Sequence, residues 1–143
     1  MITLNTEIEI DASPERVREV FFDFASYPQW NPFITSMKVA DGSTEIKPGT
    51  PLEFVGLNTT MRPNVVDNTS ERFSWLGTMF GKWFFAGKHI FEFHPVDGGK
   101  CRLVQKEEFT GAASSAIMAL IKGKTEKGFK DMNNALKERV EAK

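Results

Sequence analysis

Residues 114–141 read SSAIMALIKGKTEKGFKDMNNALKERVE, the longest periodic stretch of the chain. Its apolar side chains recur every three or four residues, which is the spacing of one face of an α-helix. That face consists of Ile117, Ile121, Thr125, Phe129, Met132, Leu136 and Val140. The pattern predicts one amphipathic helix of roughly 40 Å, with Ser114 or Ser115 capping its start. Such a helix is long enough to cross a whole sheet.

The middle of this apolar face is thin, because Thr125 and Gly128 stand where larger side chains would fill the space. Glycine also costs about 1 kcal/mol of helix propensity relative to alanine. Two interpretations remain open at this point: a void beneath the helix, or a close approach of the helix backbone to a strand.

The composition fits one globular domain over residues 1–143, since 41% of the residues are apolar and the chain is long enough to bury a core. The 18 basic and 19 acidic residues nearly cancel and are interspersed, which argues against nucleic acid as a partner. The single Cys101 excludes an internal disulfide. The first residues do not resemble a signal peptide, so a cytoplasmic location is expected. No apolar run approaches the ~20 residues that span a bilayer, so stable membrane insertion is not expected.

The rest of the chain predicts short strands and an early helix. Ile2–Ile10 alternates apolar and polar residues as a half-buried strand does, and a helix should begin at Pro14. A rigid bend or short helical turn is predicted at Tyr27–Phe33, where aromatic residues and prolines are dense. Proline cannot donate to a ladder, so Pro51 and Pro63 belong at a strand start, an edge or a bulge. Turn residues separate six strand candidates: Ile34–Ala40, Leu52–Leu57, Met61–Val66, Arg72–Phe80, Trp83–His94 and Lys100–Thr110.

The last two candidates read as one long hairpin. If its loop is residues 97–99, the register places His89 opposite Glu107 and Phe91 opposite Gln105, all on the apolar face of the sheet. A two-residue loop would break this arrangement by pairing odd with even positions. An antiparallel sheet with one apolar face must be covered, and only the terminal helix is long enough to cover it. The predicted class is therefore α+β.

This order of elements, together with five segments, resembles the polyketide cyclase/dehydrase-like branch of the START-related (SRPBCC) superfamily over essentially the full length. The segments are Ala12–Val17, Tyr27–Phe33, His89–Phe93, Glu107–Gly111 and Gly128–Lys137. The resemblance implies a helix-grip fold. In that fold a curved seven-stranded antiparallel sheet wraps around the long C-terminal helix, two short helices follow the first strand, and a hydrophobic cavity lies between sheet and helix. It also implies ligands such as lipids, sterols, polyketides or plant hormones, and in some members cyclisation or dehydration.

The pair His89 and Glu107 is the main candidate for chemistry. Inside an apolar cup, desolvation would raise the pKa of the acid, whereas mutual pairing would lower it. Three interpretations stay open: the two groups satisfy each other structurally, they anchor a ligand, or they transfer a proton as general base and orienting group. His94 alternates to the opposite strand face, so the two histidines cannot share a metal, and no metal or cofactor site is predicted.

Other aromatic and apolar residues could form the walls of a cavity. Trp75 lies on a strand, Trp30 and Phe33 lie in the bend, and core packing explains all three equally well. The candidate ligand-binding residues are Trp30, Phe33, Trp75, His89, Phe91, Gln105, Glu107, Ile121, Thr125, Phe129 and Met132.

Three functions are consistent with these observations. The favoured one is binding of a small hydrophobic molecule (lipid, polyketide or aromatic type) between sheet and helix. The alternative is a cofactor-independent cyclase or dehydrase that uses His89 and Glu107. The third is a protein-binding, co-chaperone-like domain, which would have a filled interior and an exposed apolar patch.

Overall fold

A computed structural model describes residues 1–142. It confirms the α+β class and the helix-grip arrangement, in which an antiparallel sheet is covered by the long C-terminal helix. A short 3-10 turn, Phe24–Ser26, links the first two helices. The elements are, in chain order, β1 (Ile2–Ile10), α1 (Pro14–Phe22), α2 (Tyr27–Trp30), β2 (Ile34–Val39), β3 (Leu52–Gly56), β4 (Thr59–Met61), β5 (Asn64–Asn68), β6 (Arg72–Met79), β7 (Phe85–Val96), β8 (Lys100–Thr110) and α3 (Ser114–Glu141).

The described residues form eight strands, where the resemblance implied seven. They make a five-stranded sheet in the order β1-β8-β7-β6-β5 and a three-stranded sheet in the order β2-β3-β4. The predicted strand Met61–Val66 is in fact two strands, because Pro63 has no N–H to donate and interrupts the ladder. An isolated bridge between Pro51 and Asn64 joins the two sheets at this point.

The hairpin of β7 and β8 has the predicted register. Val96 pairs with Lys100 across the loop, and further along the hairpin His89 lies opposite Glu107. The three-residue loop can form because Gly98 and Gly99 adopt left-handed φ angles of 86° and 74°, which other residues rarely adopt. The imidazole and the carboxyl group are therefore neighbours on one face of the sheet.

The first helix and the bend after it fill one end of the interior. The helix begins at Pro14, as predicted, and the Ser13 side chain caps it by accepting a hydrogen bond of 3.2 Å from a backbone N–H in the first turn. Phe21, on its inner face, packs against the rings of Phe91 and Phe93 with centroid distances of 4.6 and 5.5 Å. Tyr27 is also buried there, and its hydroxyl donates to the Phe21 carbonyl at 2.6 Å. This end of the sheet therefore has no room for a guest.

The long helix has the predicted bounds, but the predicted cap is wrong. Ala113 occupies the N-cap position and no side chain caps the helix there. Ser114 is the first helical residue, and its hydroxyl donates to the Gly111 carbonyl at 2.8 Å instead of accepting from a backbone N–H. No helix among residues 1–142 combines the length and apolar character needed to cross a membrane.

Candidate functional site

A cavity of about 260 Å³ lies between the two sheets and the N-terminal half of α3. It occupies the end of the sheet opposite the aromatic cluster around Phe21. Its lining is mainly apolar, and the polar side chains that reach it are Thr59, Thr78, His89, Glu107 and Thr125. It opens to solvent beside Leu57, Met61 and Met79, which line it while staying 45%, 38% and 41% exposed. We call this opening the mouth.

Phe33 forms one end of the cavity. Its ring packs into the notch left by Gly128, where an added Cβ atom would lie 2.2 Å from the ring. Both interpretations of the thin middle of α3 are thus partly correct. The Phe33 side chain packs closely against Gly128, and the cavity lies against Thr125. A more open groove of about 330 Å³ lies on the other side of Phe33, beside Lys127 and Asp131. The candidate site is the cavity of about 260 Å³, because His89 and Glu107 line it.

Six of the eleven predicted site residues line the cavity: Phe33, Trp75, His89, Glu107, Ile121 and Thr125. The other five lie outside its lining. Trp30 packs edge-on against Tyr27 at 5.1 Å, and Met132 is buried in the core. Phe91 and Phe129 pack against the His89 ring, both at 4.7 Å, and Gln105 lies behind that ring. Phe91, Phe129 and Gln105 therefore contact His89 without lining the cavity.

Thirteen lining residues were missed by the sequence analysis, although some carried a signal. Those on β6, β7 and β8, apart from Thr78, share a strand face with Trp75, His89 or Glu107, so strict alternation would have found them. Thr78 lies on the other face of β6. The residues of β3 and β4 had no such signal, because the placement of the small sheet over the large one is a tertiary feature. The missed residues are Phe54, Gly56, Leu57, Thr59, Met61, Pro63, Gly77, Thr78, Met79, Phe85, Gly87, Phe109 and Ile117.

A buried hydrogen-bond network determines the tautomer of His89. The Gln105 amide nitrogen donates to the Phe129 carbonyl at 3.2 Å and to Asn133 Oδ1 at 2.6 Å. A backbone carbonyl can only accept, so the nitrogen must point that way and Gln105 Oε1 must point to His89. His89 Nε2 therefore carries the proton and donates to Oε1 at 2.9 Å. In the neutral ring, Nδ1 is then an unprotonated acceptor.

Two residues that the sequence analysis did not select complete the network. Asn133 Nδ2 donates to Thr6 Oγ1 at 2.9 Å, and the Thr6 hydroxyl donates to the Gln105 backbone carbonyl at 2.8 Å. Thr6 is the one polar residue on the inward face of β1, and Asn133 lies on the buried side of α3. A polar residue on an apolar face was the available signal, because buried polar groups need partners.

Glu107 faces the acceptor nitrogen of His89. Its Oε1 lies 3.5 Å from Nδ1, longer than a good hydrogen bond. Gly87 makes room for the other oxygen, since a Cβ atom at Gly87 would lie 2.3 Å from Glu107 Oε2. Burial raises the pKa of Glu107 to about 8. Burial also lowers the pKa of His89 to about 3, although the Gln105 hydrogen bond opposes this shift.

The pair is therefore neutral at pH 7, a carboxylic acid beside a neutral imidazole. Glu107 can donate a hydrogen bond into the cavity, and His89 offers an adjacent base. Among residues 1–142, no three His, Cys, Asp or Glu side chains converge on a position that could hold a metal ion. Cys101 is buried away from the cavity, and burial raises the pKa of its thiol to about 11.

A long helix held against an antiparallel sheet, with an apolar cavity between them, is a START-like fold. The chain belongs to the family described as polyketide cyclase/dehydrase and lipid transport, whose model matches residues 1–141. No curated protein sequence matches it.

Three solved structures show the same fold. A hypothetical protein of Helicobacter pylori is 14% identical, with 97% of this chain and 88% of that chain covered and a TM-score of 0.79. The Zhui aromatase/cyclase of Streptomyces sp. R1128 is 11% identical, with 98% and 93% covered and a TM-score of 0.73. A START superfamily protein of Mycobacterium smegmatis is 20% identical, with 97% of each chain covered and a TM-score of 0.70. At these identities the likeness establishes the fold.

Proposed function

We propose that this protein binds one small, mainly hydrophobic molecule in the cavity, with the protonated Glu107 carboxyl group donating a hydrogen bond to an oxygen of the guest. The observation that carries the proposal is a mainly apolar cavity with a single acidic side chain turned into it. Burying an unpaired donor costs free energy, so a guest with an acceptor in reach of Glu107 binds better than a pure hydrocarbon.

The cavity limits the size and shape of the guest. Its volume of about 260 Å³ lies just below the ~300–1,000 Å³ typical of pockets for small molecules. A two-chain phospholipid is too large for it. Aromatic surfaces of Trp75, Phe85 and Phe109 form part of the walls, which favours a compact ring system with a carbonyl or hydroxyl oxygen over an extended chain.

Binding of N-phenyl-1-naphthylamine, a neutral fluorescent probe, tests the proposal. We expect enhanced probe emission with the wild-type protein. Gly77→Leu should lose affinity for the probe at least tenfold, because the leucine side chain occupies the cavity and moving it aside to admit the probe costs about 1–3 kcal/mol. An added Cβ at Gly77 has only Pro63 Cβ nearby, at 3.8 Å, so the variant should fold.

Leu76→Phe is the matched control, since Leu76 points to the other face of the same strand and does not line the cavity. Equal affinities of the two variants, or no probe binding by the wild type, would contradict the proposal. Native mass spectrometry of the protein purified from its own host then identifies the natural guest by mass.

A second candidate function is proton transfer on a bound carbonyl compound. The protonated Glu107 and the acceptor Nδ1 of His89 favour it, because an acid and a base meet at the cavity wall without water between them. The test is deuterium exchange at the α-carbon of 2-tetralone in D₂O, followed by proton NMR. An enzyme should accelerate the exchange at least tenfold over buffer, and Glu107→Gln should abolish the acceleration while probe binding is retained.

The protein-binding alternative expects a filled interior. The cavity supports ligand binding over that alternative, since space of this size next to a buried acid serves no purpose in packing.

A further inference from the structure

The chain segments around the mouth carry one sign of charge. They are residues 57–66, 76–91 and 110–125. These contribute the turn after β3, β4, the start of β5, the end of β6, the turn between β6 and β7, the first half of β7 and the start of α3. Five of the 18 basic residues and none of the 19 acidic residues lie in these segments. Arg62 and Lys88 are within 4 Å of Glu53 and Asp67, whereas Lys82, Lys122 and Lys124 are exposed.

Large apolar side chains are exposed at the same end of the molecule. Phe80 and Trp83, in the turn between β6 and β7, are 78% and 73% exposed. Leu120 is 84% exposed and lies on the outer side of α3, between the cavity residues Ile117 and Ile121. Isolated exposed apolar residues are common, but three large ones on the segments around an apolar opening favour a contact surface.

The aromatic turn is held in place and is not a loose loop. Phe84 packs edge-on against Phe80 at 5.7 Å and against Trp83 at 5.6 Å. The backbone N–H groups of Ala112 and Ala113 donate to the carbonyls of Trp83 and Phe84 at 2.8 and 2.9 Å. These bonds fasten the turn to the start of α3, so the aromatic rings project from a fixed base next to the mouth.

The backbone of Phe80 is conformationally strained. Its φ angle is 55°, in the left-handed region where glycine would be less strained. An exposed phenylalanine at such a position contributes little to folding, and strain of this kind is concentrated at functional sites.

We propose that this face docks on the surface of an anionic lipid membrane, so that the mouth opens towards the bilayer from which a hydrophobic guest enters. The inference rests on the proposed binding function and extends it to the source of the guest. Aromatic side chains partition into the lipid–water interface, and each lysine near an anionic surface strengthens partitioning about fivefold. A second copy of the chain fits less well, because a symmetric contact would bring Lys82 and Lys122 of both copies together.

Co-sedimentation with vesicles tests the docking. Vesicles of phosphatidylcholine alone are compared with vesicles containing equal parts of phosphatidylcholine and phosphatidylglycerol. We expect the wild-type protein to sediment with the anionic vesicles and much less with the neutral ones. It should also sediment much less with the anionic vesicles in about 0.5 M salt, because salt screens the attraction between the lysines and the lipid headgroups. The double variant Lys82→Gln/Lys122→Gln should lower the partition coefficient roughly 30-fold.

The matched control is Lys47→Gln/Lys100→Gln, which removes the same charge from exposed or half-exposed positions outside the three segments. It should stay within about twofold of the wild type. Phe80→Ser/Trp83→Ser should abolish sedimentation at unchanged net charge. All of these residues lie outside the cavity lining, so probe binding in solution should be unchanged in every variant.

The outcomes separate the two proposals. Probe binding without vesicle association would overturn the docking proposal and leave the binding proposal intact. Equal losses of vesicle binding in the two lysine variants would have the same consequence. Self-association that Phe80→Ser/Trp83→Ser abolishes, in the absence of vesicle binding, would assign the patch to a second copy and also overturn docking. Failure of the wild type to bind the probe would remove the proposed function, whatever the vesicles show.

Discussion

Gly128→Ala should destabilise the protein by about 1–3 kcal/mol, whereas Gly123→Ala in the same helix should stabilise it by about 1 kcal/mol. Alanine is the better helix former at both positions, so helix propensity alone predicts the same gain twice. The two sites differ in their surroundings. A Cβ atom at Gly128 would lie 2.2 Å from the Phe33 ring, and a Cβ atom at Gly123 would have nothing within 4 Å.

The Phe33 ring cannot yield easily to the new methyl group. It is only 9% exposed and packs edge-on against Phe129 at 5.5 Å. The ring lines the cavity on one side and the open groove on the other, and a displacement into the cavity would show as weaker binding of N-phenyl-1-naphthylamine by Gly128→Ala. Urea unfolding of both variants measures the free-energy changes. Stabilisation by both substitutions would show that Phe33 does not occupy the Gly128 notch.

Glu107→Gln should change how stability depends on pH. Burial raises the pKa of Glu107 from its ordinary 4.5 to about 8. The folded state keeps this proton over that range while the unfolded state releases it, so stability falls as pH rises. His89 has the opposite effect, because burial lowers its pKa from 6.5 to about 3. The unfolded state binds a proton there that the folded state does not, so stability falls as pH drops.

The two effects cancel between pH 4.5 and 6.5, where each state holds one proton on the pair. Above pH 6.5 the Glu107 effect dominates, and the wild type should lose about 1 kcal/mol of unfolding free energy by pH 8. In Glu107→Gln this loss should vanish, and stability should instead rise from pH 4.5 to 6.5 because only the His89 effect is left.

Urea unfolding at pH 4.5, 5.5, 6.5, 7.2 and 8 measures both profiles. Glu108→Gln, on the other face of the same strand, is the control and should keep the wild-type profile. A Glu107→Gln profile that parallels the wild type throughout would mean that Glu107 is ionised at neutral pH. The neutral pair, and the hydrogen bond it offers a guest, would then be ruled out.

Much of this site followed from local patterns. The period of the apolar residues predicted both ends of α3, and alternation along β7 and β8 predicted their inward faces. An odd-numbered loop with two glycines was sufficient to set the register that places His89 opposite Glu107. Each of these features depends on residues close together in sequence, where backbone geometry leaves few alternatives.

The composition of the cavity wall did not follow from those patterns. Gln105 and Glu107 share a strand face, yet only Glu107 reaches the cavity, because Gln105 lies behind the His89 ring and bonds to residues of α3. The packing of Phe33 against Gly128 could not be predicted from local patterns either, because the two residues are far apart in sequence.

The amino-acid sequence alone thus determined the helix and the inward faces of the two hairpin strands, since both arise from periodicity. It also predicted the register that brings the acid and the base together, on the condition that the loop is residues 97–99, which the structure confirms. Only the tertiary structure decided which of the inward residues face empty space. That depends on how side chains distant in sequence, such as Phe33 and those of β3 and β4, share the volume between sheet and helix. Close packing is a property of the whole interior, and no single stretch of the chain encodes it.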